Sequence, residues 1–136
     1  MSYLRAFSMM ELVVVLAVMS ILTLIAVPNY QHIIGRFQYM EVLHESAPWR
    51  IQTEMCYWHH GSFDMCSSGE PGMRSFYQGQ SISALDIENG EITITPQHRR
   101  SLSESDILVM TPEVHEGVLR WHYSGPAVES GYVQKN

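Results

Sequence analysis

The sequence predicts an α+β fold: a long N-terminal helix, hydrophobic in its first half and amphipathic in its second, packed on a four-stranded antiparallel sheet. Three observations carry that prediction. Leu12 to Val27 is a nearly unbroken apolar run, relieved only by Ser20 and Thr23. Apolar side chains then recur at spacings near three and four as far as Met55. From Ser81 onward, short strand-like segments alternate with turn signals. A chain of 136 residues has room for one such domain. A net charge of −6, from 8 Lys and Arg against 14 Asp and Glu, argues against a general nucleic-acid binder. With 46% hydrophobic and 16% charged residues, wholesale disorder is not expected either.

The first element is set by length. Phe7 to Val27 is 21 residues, and at about 1.5 Å per residue it spans a hydrocarbon core of about 30 Å. It is the one run of its kind, so a single crossing is expected, which excludes a plain cytosolic enzyme and a multi-span transporter. The flanks separate three readings. A secretory signal peptide has an apolar region of about 7–15 residues and a small-residue cleavage site, but this run ends at Pro28-Asn29-Tyr30. A plain anchor leaves Glu11 unexplained, because a carboxylate in an apolar segment costs roughly 3 kcal/mol unless a partner neutralises it. The third reading places cleavage between Ala6 and Phe7. The freed Phe7 ammonium would then stand four residues from Glu11, and in a bundle the Glu11 of one chain could pair with the Phe7 of a neighbour. That reading, which requires self-association, is the one adopted.

The segment FSMMELVVVLAVMSILTLIAVPNYQ resembles the N-terminus of the type IV pilins and of the related type II secretion pseudopilins. The resemblance implies a leader of residues 1–6 containing Arg5, cut by a prepilin peptidase after Ala6. It implies N-methylation of Phe7, the first mature residue, and an assembly role for Phe7, Glu11 and Pro28. Tyr30 also matches. Two departures stand out: Ala6 occupies a place where the family nearly always has Gly, and Ser20 one where many relatives have a helix Gly. The implied domains are the leader at 1–6, the polymerisation helix at 7–28 and a head at 29–136.

Beyond Pro28, the residues Ile33, Phe37, Met40, Ala47, Ile51 and Met55, interrupted by His44, form the expected apolar stripe. Gln31, Arg36, Gln38, Glu45, Gln52 and Glu54 mark the polar side. Pro48 predicts a kink or a restart with Ser46 as cap, and Gly61 a stop. The stretch Gln52–Phe63 also resembles the end of the long pilin helix. Cys56 and Cys66 lie beyond the membrane helix, so a disulfide is the favoured reading if the head is outside the cytoplasm. Closing this loop would contribute about 2–3 kcal/mol. The rival is metal binding, since His59 and His60 lie between them, but two Cys and one His without a second ligand pair match structural zinc spacing poorly. Many type IV pilins instead staple a C-terminal loop; here Tyr123 follows Trp121 where many pilins have that cysteine.

Strands are expected at Ser81–Ile87 and Glu91–Thr95 around Asn89-Gly90, and at Asp106–Thr111 and Gly117–Tyr123 around Pro112–Glu116. The expected αβ-loop covers 61–80, with Cys66–Gly79 a surface loop, and Ser124–Asn136 is a C-terminal loop. Of the seven histidines, none belongs to an HExxH motif, and no phosphate-binding glycine loop or nucleophile elbow is present. Ser103-Glu104-Ser105-Asp106 lacks the alternating acids and turn glycine of a calcium loop. Arg99-Arg100 with Arg74 and Arg120 could form a small patch for DNA, although a solvated loop is the plainer reading. Trp49, Tyr57, Trp58 and Phe63 are read as the contact between helix and sheet.

The resemblance implies a structural subunit of a type IV pilus rather than an enzyme, with no cofactor and no metal. Its implied partners are copies of itself in a helical filament, other pilins, prepilin peptidase, the inner-membrane assembly machinery, and the membrane before assembly. The head would lie in the periplasm first and on an extracellular pilus afterwards, with roles in adhesion, twitching motility or DNA uptake. Two alternatives are a minor pilin or pseudopilin, and a pilus-borne receptor for DNA or another ligand.

Overall fold

A computed structural model describes residues 7–135, in two compact units divided between Ile33 and Ile34. Helix α1 runs Met9–His60. It starts where Ser8 supplies a cap: the Met10 amide reaches Ser8 Oγ at 3.4 Å, and the Glu11 and Leu12 amides donate to the Ser8 carbonyl. In the first unit the hydroxyls of Ser20 and Thr23 donate to the carbonyls of Leu16 and Met19, one turn back, so neither polar group is left unsatisfied along the apolar run.

The helix continues through both Pro28 and Pro48, so the expected restart at Pro48 is not found. Ser46 caps nothing: it is buried in mid-helix, with its hydroxyl donating to the Leu43 carbonyl. The helix ends at His60, and Gly61 follows with φ +73°, the conformation a helix-terminating glycine supplies.

The sheet has the order β1-β2-β3-β4, all antiparallel: β1 Ile82–Glu88, β2 Glu91–Pro96, β3 Leu108–His115 and β4 Val118–Ser124. Alternate residues Leu85, Ile87, Ile92, Ile94, Leu108 and Met110 are buried, which is the period-two pattern of a sheet with one covered face. Asn89 and Gly90 both have positive φ, as the first hairpin requires.

The second hairpin turns later than expected. Glu116 and Gly117, both at positive φ, make it, and Pro112 lies inside β3 opposite Trp121. Proline is accommodated there because β2 pairs with β3 only at residues 108–110. Beyond that point β3 has β4 as its strand neighbour, and an amide missing on the other side costs no ladder bond.

The face of α1 on the core differs from the expected stripe. Gly35, Tyr39, Val42, Ser46, Trp49, Thr53 and Cys56 are buried, at alternating steps of four and three. Ile33, Phe37, Met40, Ile51 and Met55 are instead exposed, Phe37, Met40 and Met55 by about two thirds of their surface. The physical reason lies in Ser46 and Thr53. Their hydroxyls donate to the Leu43 and Trp49 carbonyls, so these polar residues enter the core already satisfied, and hydropathy alone misplaces the face.

Nor is the C-terminal segment a simple loop. Helix α2, Pro126–Glu129, buries Ala127, whose amide donates to the Ile107 carbonyl. Tyr132 stacks on Tyr39 with ring centroids 6.1 Å apart, and Val133 is buried. Gly35 makes this approach possible, since a Cβ there would lie 2.5 Å from the Tyr132 ring. Packing therefore holds the C-terminus where no cysteine is present to do so.

Candidate functional site

Three features of the chain bear on function: the apolar helix with Glu11, the second exposed apolar row on α1, and the closure of the segment between helix and sheet. Ala6 and Arg5 lie outside the described residues. Phe7 precedes α1, and every large apolar side chain from Phe7 to Val27 is exposed. Among the described residues, one helix is long and apolar enough to cross a membrane.

Glu11 is exposed in the first turn of α1, where it is the third residue after the Ser8 cap. The Ser-x-x-Glu spacing of Ser8 to Glu11 is that of a capping box, and an acid there is favoured by the helix dipole. This local role could have been read from the spacing. It adds to the intermolecular role expected of the carboxylate and does not conflict with it.

On the head, Phe37, Met40, Ile51, Met55 and Trp58 form an exposed row along α1. The expected aromatic contact between helix and sheet is thereby divided. Trp49 is buried and meets Tyr77 at 4.1 Å between ring centroids, with the Arg74 guanidinium 5.6 Å from its own ring. Tyr57 stacks on Phe63 at 4.5 Å, while Trp58 faces solvent.

A disulfide joins Cys56, in the last turns of α1, to Cys66. From Cys66 the segment follows the outer edge of β1. The Ser68 amide donates to Ile87 O, the Ile87 amide to Ser68 Oγ, the Gly90 amide to Cys66 O, and Tyr77 bridges to Leu85. Residues 66–79 thus cover an edge that would otherwise present unpaired backbone groups, and within the segment Cys66 and Met73 are buried.

The same segment is tied back to α1 by Glu45. Its carboxylate accepts from the Tyr77 hydroxyl at 2.8 Å and from the amides of Gln80 and Ser81 at 3.0 and 2.8 Å. Burial acts to raise the Glu45 carboxyl, but these donors outweigh it and hold the group below the usual glutamate range. A depressed folded value means that the stabilisation is present above the unfolded value, about 4.3, and is lost as pH falls through the folded one. Glu45→Gln is therefore expected to cost about 1–2 kcal/mol at neutral pH. Urea midpoints of the two chains should converge as the pH is taken below the carboxylate range.

Arg74, Arg99 and Arg120 each have separate neighbours. Arg99 pairs with Glu41 and also donates to the Gln80 carbonyl and the Ser81 hydroxyl. Arg74 lies over Trp49, and Arg120 stands opposite Glu113 across β3 and β4. Arg100 is exposed. In the 103–106 segment the Asp106 carboxylate accepts from the Ser103 amide, which closes a local turn.

No family model matches the chain. Prepilin peptidase-dependent protein D of Escherichia coli (strain K12) is 32% identical over 119 residues, covering 86% of this chain and 80% of that protein. Type IV major pilin protein PilE of Neisseria gonorrhoeae is 25% identical over 130 residues, covering 93% and 77%. Type IV major fimbrial protein FimA of Dichelobacter nodosus is 35% identical over 65 residues, covering 48% and 41%. Among solved structures, the solution NMR structure of the major type IV pilin PpdD from enterohemorrhagic Escherichia coli matches with a TM-score of 0.56. It is 26% identical, and the match covers 67% of this chain and 68% of that one.

Proposed function

Belonging as it does to the type IV pilin family, this chain is a structural pilin subunit, and we propose that it is made as a precursor and built into the shaft of a pilus through Phe7–Pro28. Prepilin peptidase cuts between Ala6 and Phe7 and methylates the new amino group. The subunit then waits in the inner membrane, anchored by residues 7–28 with its head of 29–136 in the periplasm. The assembly machinery draws it into a filament with copies of itself and other pilins.

The observation that carries this reading is the exposed apolar surface from Phe7 to Val27 with a single carboxylate, Glu11, four residues from the cut. Lipid tails are as apolar as these side chains, so hydrophobic burial alone cannot favour leaving the membrane. Close packing between helices and a charge-assisted Glu11–Phe7 pair supply the difference. That pair also sets axial register, because the ammonium of one subunit must meet the carboxylate of another. The exposed row from Phe37 to Trp58 supports the same reading, as further apolar surface a neighbouring subunit can cover. Glu11 favours a place within the shaft over one at its tip.

Intact mass of the chain from native membranes and from sheared filaments tests the proposal. The expected mature species lacks Met1–Ala6, carries one added methyl group, and gains two protons on reduction. An uncut chain in both fractions would mean that Ala6 blocks processing, and the filament reading would give way to a simple membrane anchor.

A further inference from the structure

The last turn of α1 and the loop after it bring two sulfurs and an imidazole together. The ligand atoms of Cys56, His60 and Cys66 all lie within 4.8 Å of one another. His60 Nδ1 is 3.7 Å from Cys56 Sγ, near the edge of about 3.5 Å in a tetrahedron with Zn–S near 2.3 Å and Zn–N near 2.0 Å. A groove lined by Gln52, Met55, Cys56, His59, His60 and Gly72 opens beside two of the three, Cys56 and His60, while Cys66 is fully buried. The C-terminal end of a long helix also favours a cation.

We propose that the dithiol form of this chain binds one Zn²⁺ through Cys56 Sγ, Cys66 Sγ and His60 Nδ1, so that disulfide and metal are alternative closures of the same loop. A thiol reductant supplies two electrons and two protons to the Cys56–Cys66 bond, which breaks to two thiols while the reductant becomes a disulfide. Zn²⁺ then displaces both thiol protons, two Zn–S bonds form, and the two thiolates neutralise its charge. In a tetrahedral site the sulfurs stand about 3.8 Å apart, a separation that side-chain rotation supplies.

In the disulfide form Nδ1 of His60 is 3.1 Å from the Cys56 carbonyl. Ligation requires the ring proton on Nε2 and gives up that contact. Three protein ligands would leave a fourth position for water, which the groove beside Cys56 and His60 could admit. A site of this kind is the open three-ligand type, which explains why Cys-x3-His-x5-Cys does not match the paired spacing of closed structural zinc sites.

Co²⁺, a spectroscopic stand-in for Zn²⁺, provides the test on the full chain in detergent micelles. The oxidised chain is compared with one reduced by dithiothreitol that is then removed without air. The reduced chain is expected to bind one Co²⁺ with a tetrahedral spectrum and a thiolate-to-metal charge-transfer band, both abolished by Zn²⁺. The oxidised chain should show neither. His60→Ala should weaken the reduced chain's affinity by at least the roughly 10–100-fold that loss of outer-shell partners costs, while the exposed His98, which lines no part of this groove, can be replaced by alanine with binding as in the parent. Absence of binding by the reduced chain, equal binding by the oxidised chain, or an unchanged affinity in His60→Ala would each overturn the proposal.

Discussion

Glu11→Ala is expected to abolish surface filaments while leaving the processed chain in the inner membrane. The carboxylate is the one charge between Phe7 and Val27, and in the proposed filament its removal would leave a neighbour's Phe7 ammonium without a partner in an apolar bundle. An unpaired charge in such a setting costs several kcal/mol per subunit, multiplied along the filament. Glu11 also occupies the third helical position after the Ser8 cap, so alanine alone does not distinguish pairing from capping. Glu11→Gln does. Glutamine serves the capping box as well as glutamate but carries no charge. If ion pairing governs assembly, both variants lose sheared filament protein on immunoblots while membrane-bound chain is retained. Filaments at the parental level in Glu11→Gln would reduce Glu11 to a helix cap and remove the register argument.

Tyr39→Ala is expected to destabilise the head by about 3–5 kcal/mol, the range for removing a large buried ring. Against a typical domain stability of about 5–15 kcal/mol, that is a large share. Tyr39 is fully buried, its hydroxyl donates to the Asp106 carbonyl at 2.9 Å, and its ring carries Tyr132. Burial, with a smaller contribution from the Asp106 charge, pushes its phenol well above the ordinary range, so the hydroxyl stays protonated and donating at any physiological pH.

Tyr39→Phe keeps the ring and loses the hydrogen bond, at a cost of about 1 kcal/mol. Urea unfolding of the full chain in detergent separates the two contributions. Equal losses in both variants would assign the stabilisation to the hydroxyl rather than to packing. The neighbouring contact is open to the same logic. Gly35→Ala forces Tyr132 away despite a gain of about 1 kcal/mol in helix propensity, and part of that gain should be recovered when Tyr132 is also replaced by alanine, the Ser101 carbonyl 3.2 Å from the added Cβ limiting the rest.

The elements legible in the sequence were those with a local cause. The apolar run, the helix stop at Gly61 and the Asn89-Gly90 hairpin each depend on residues next to one another in the chain, and each lies where expected. The Glu116-Gly117 turn was misplaced because Pro112 is the stronger local signal. Only the early end of β2 shows that proline to be harmless inside β3. The cysteines were legible as a pair, but nothing in their spacing indicated that the segment after Cys66 would bond along β1.

What the sequence by itself determined is the order of helix and strands, an apolar run long enough to span a membrane and the placement of Glu11. All of these follow from period, length and composition. What tertiary structure alone decided is which side of α1 enters the core and what holds the C-terminus. Ser46 and Thr53 pass into the interior because their hydroxyls are satisfied within the helix, and this leaves Phe37, Met40 and Met55 outside. Tyr132 closes on Tyr39 because Gly35, nearly a hundred residues earlier, offers no side chain to stop it. Burial is a property of the partner as well as of the residue, and hydropathy read along one chain does not contain the partner.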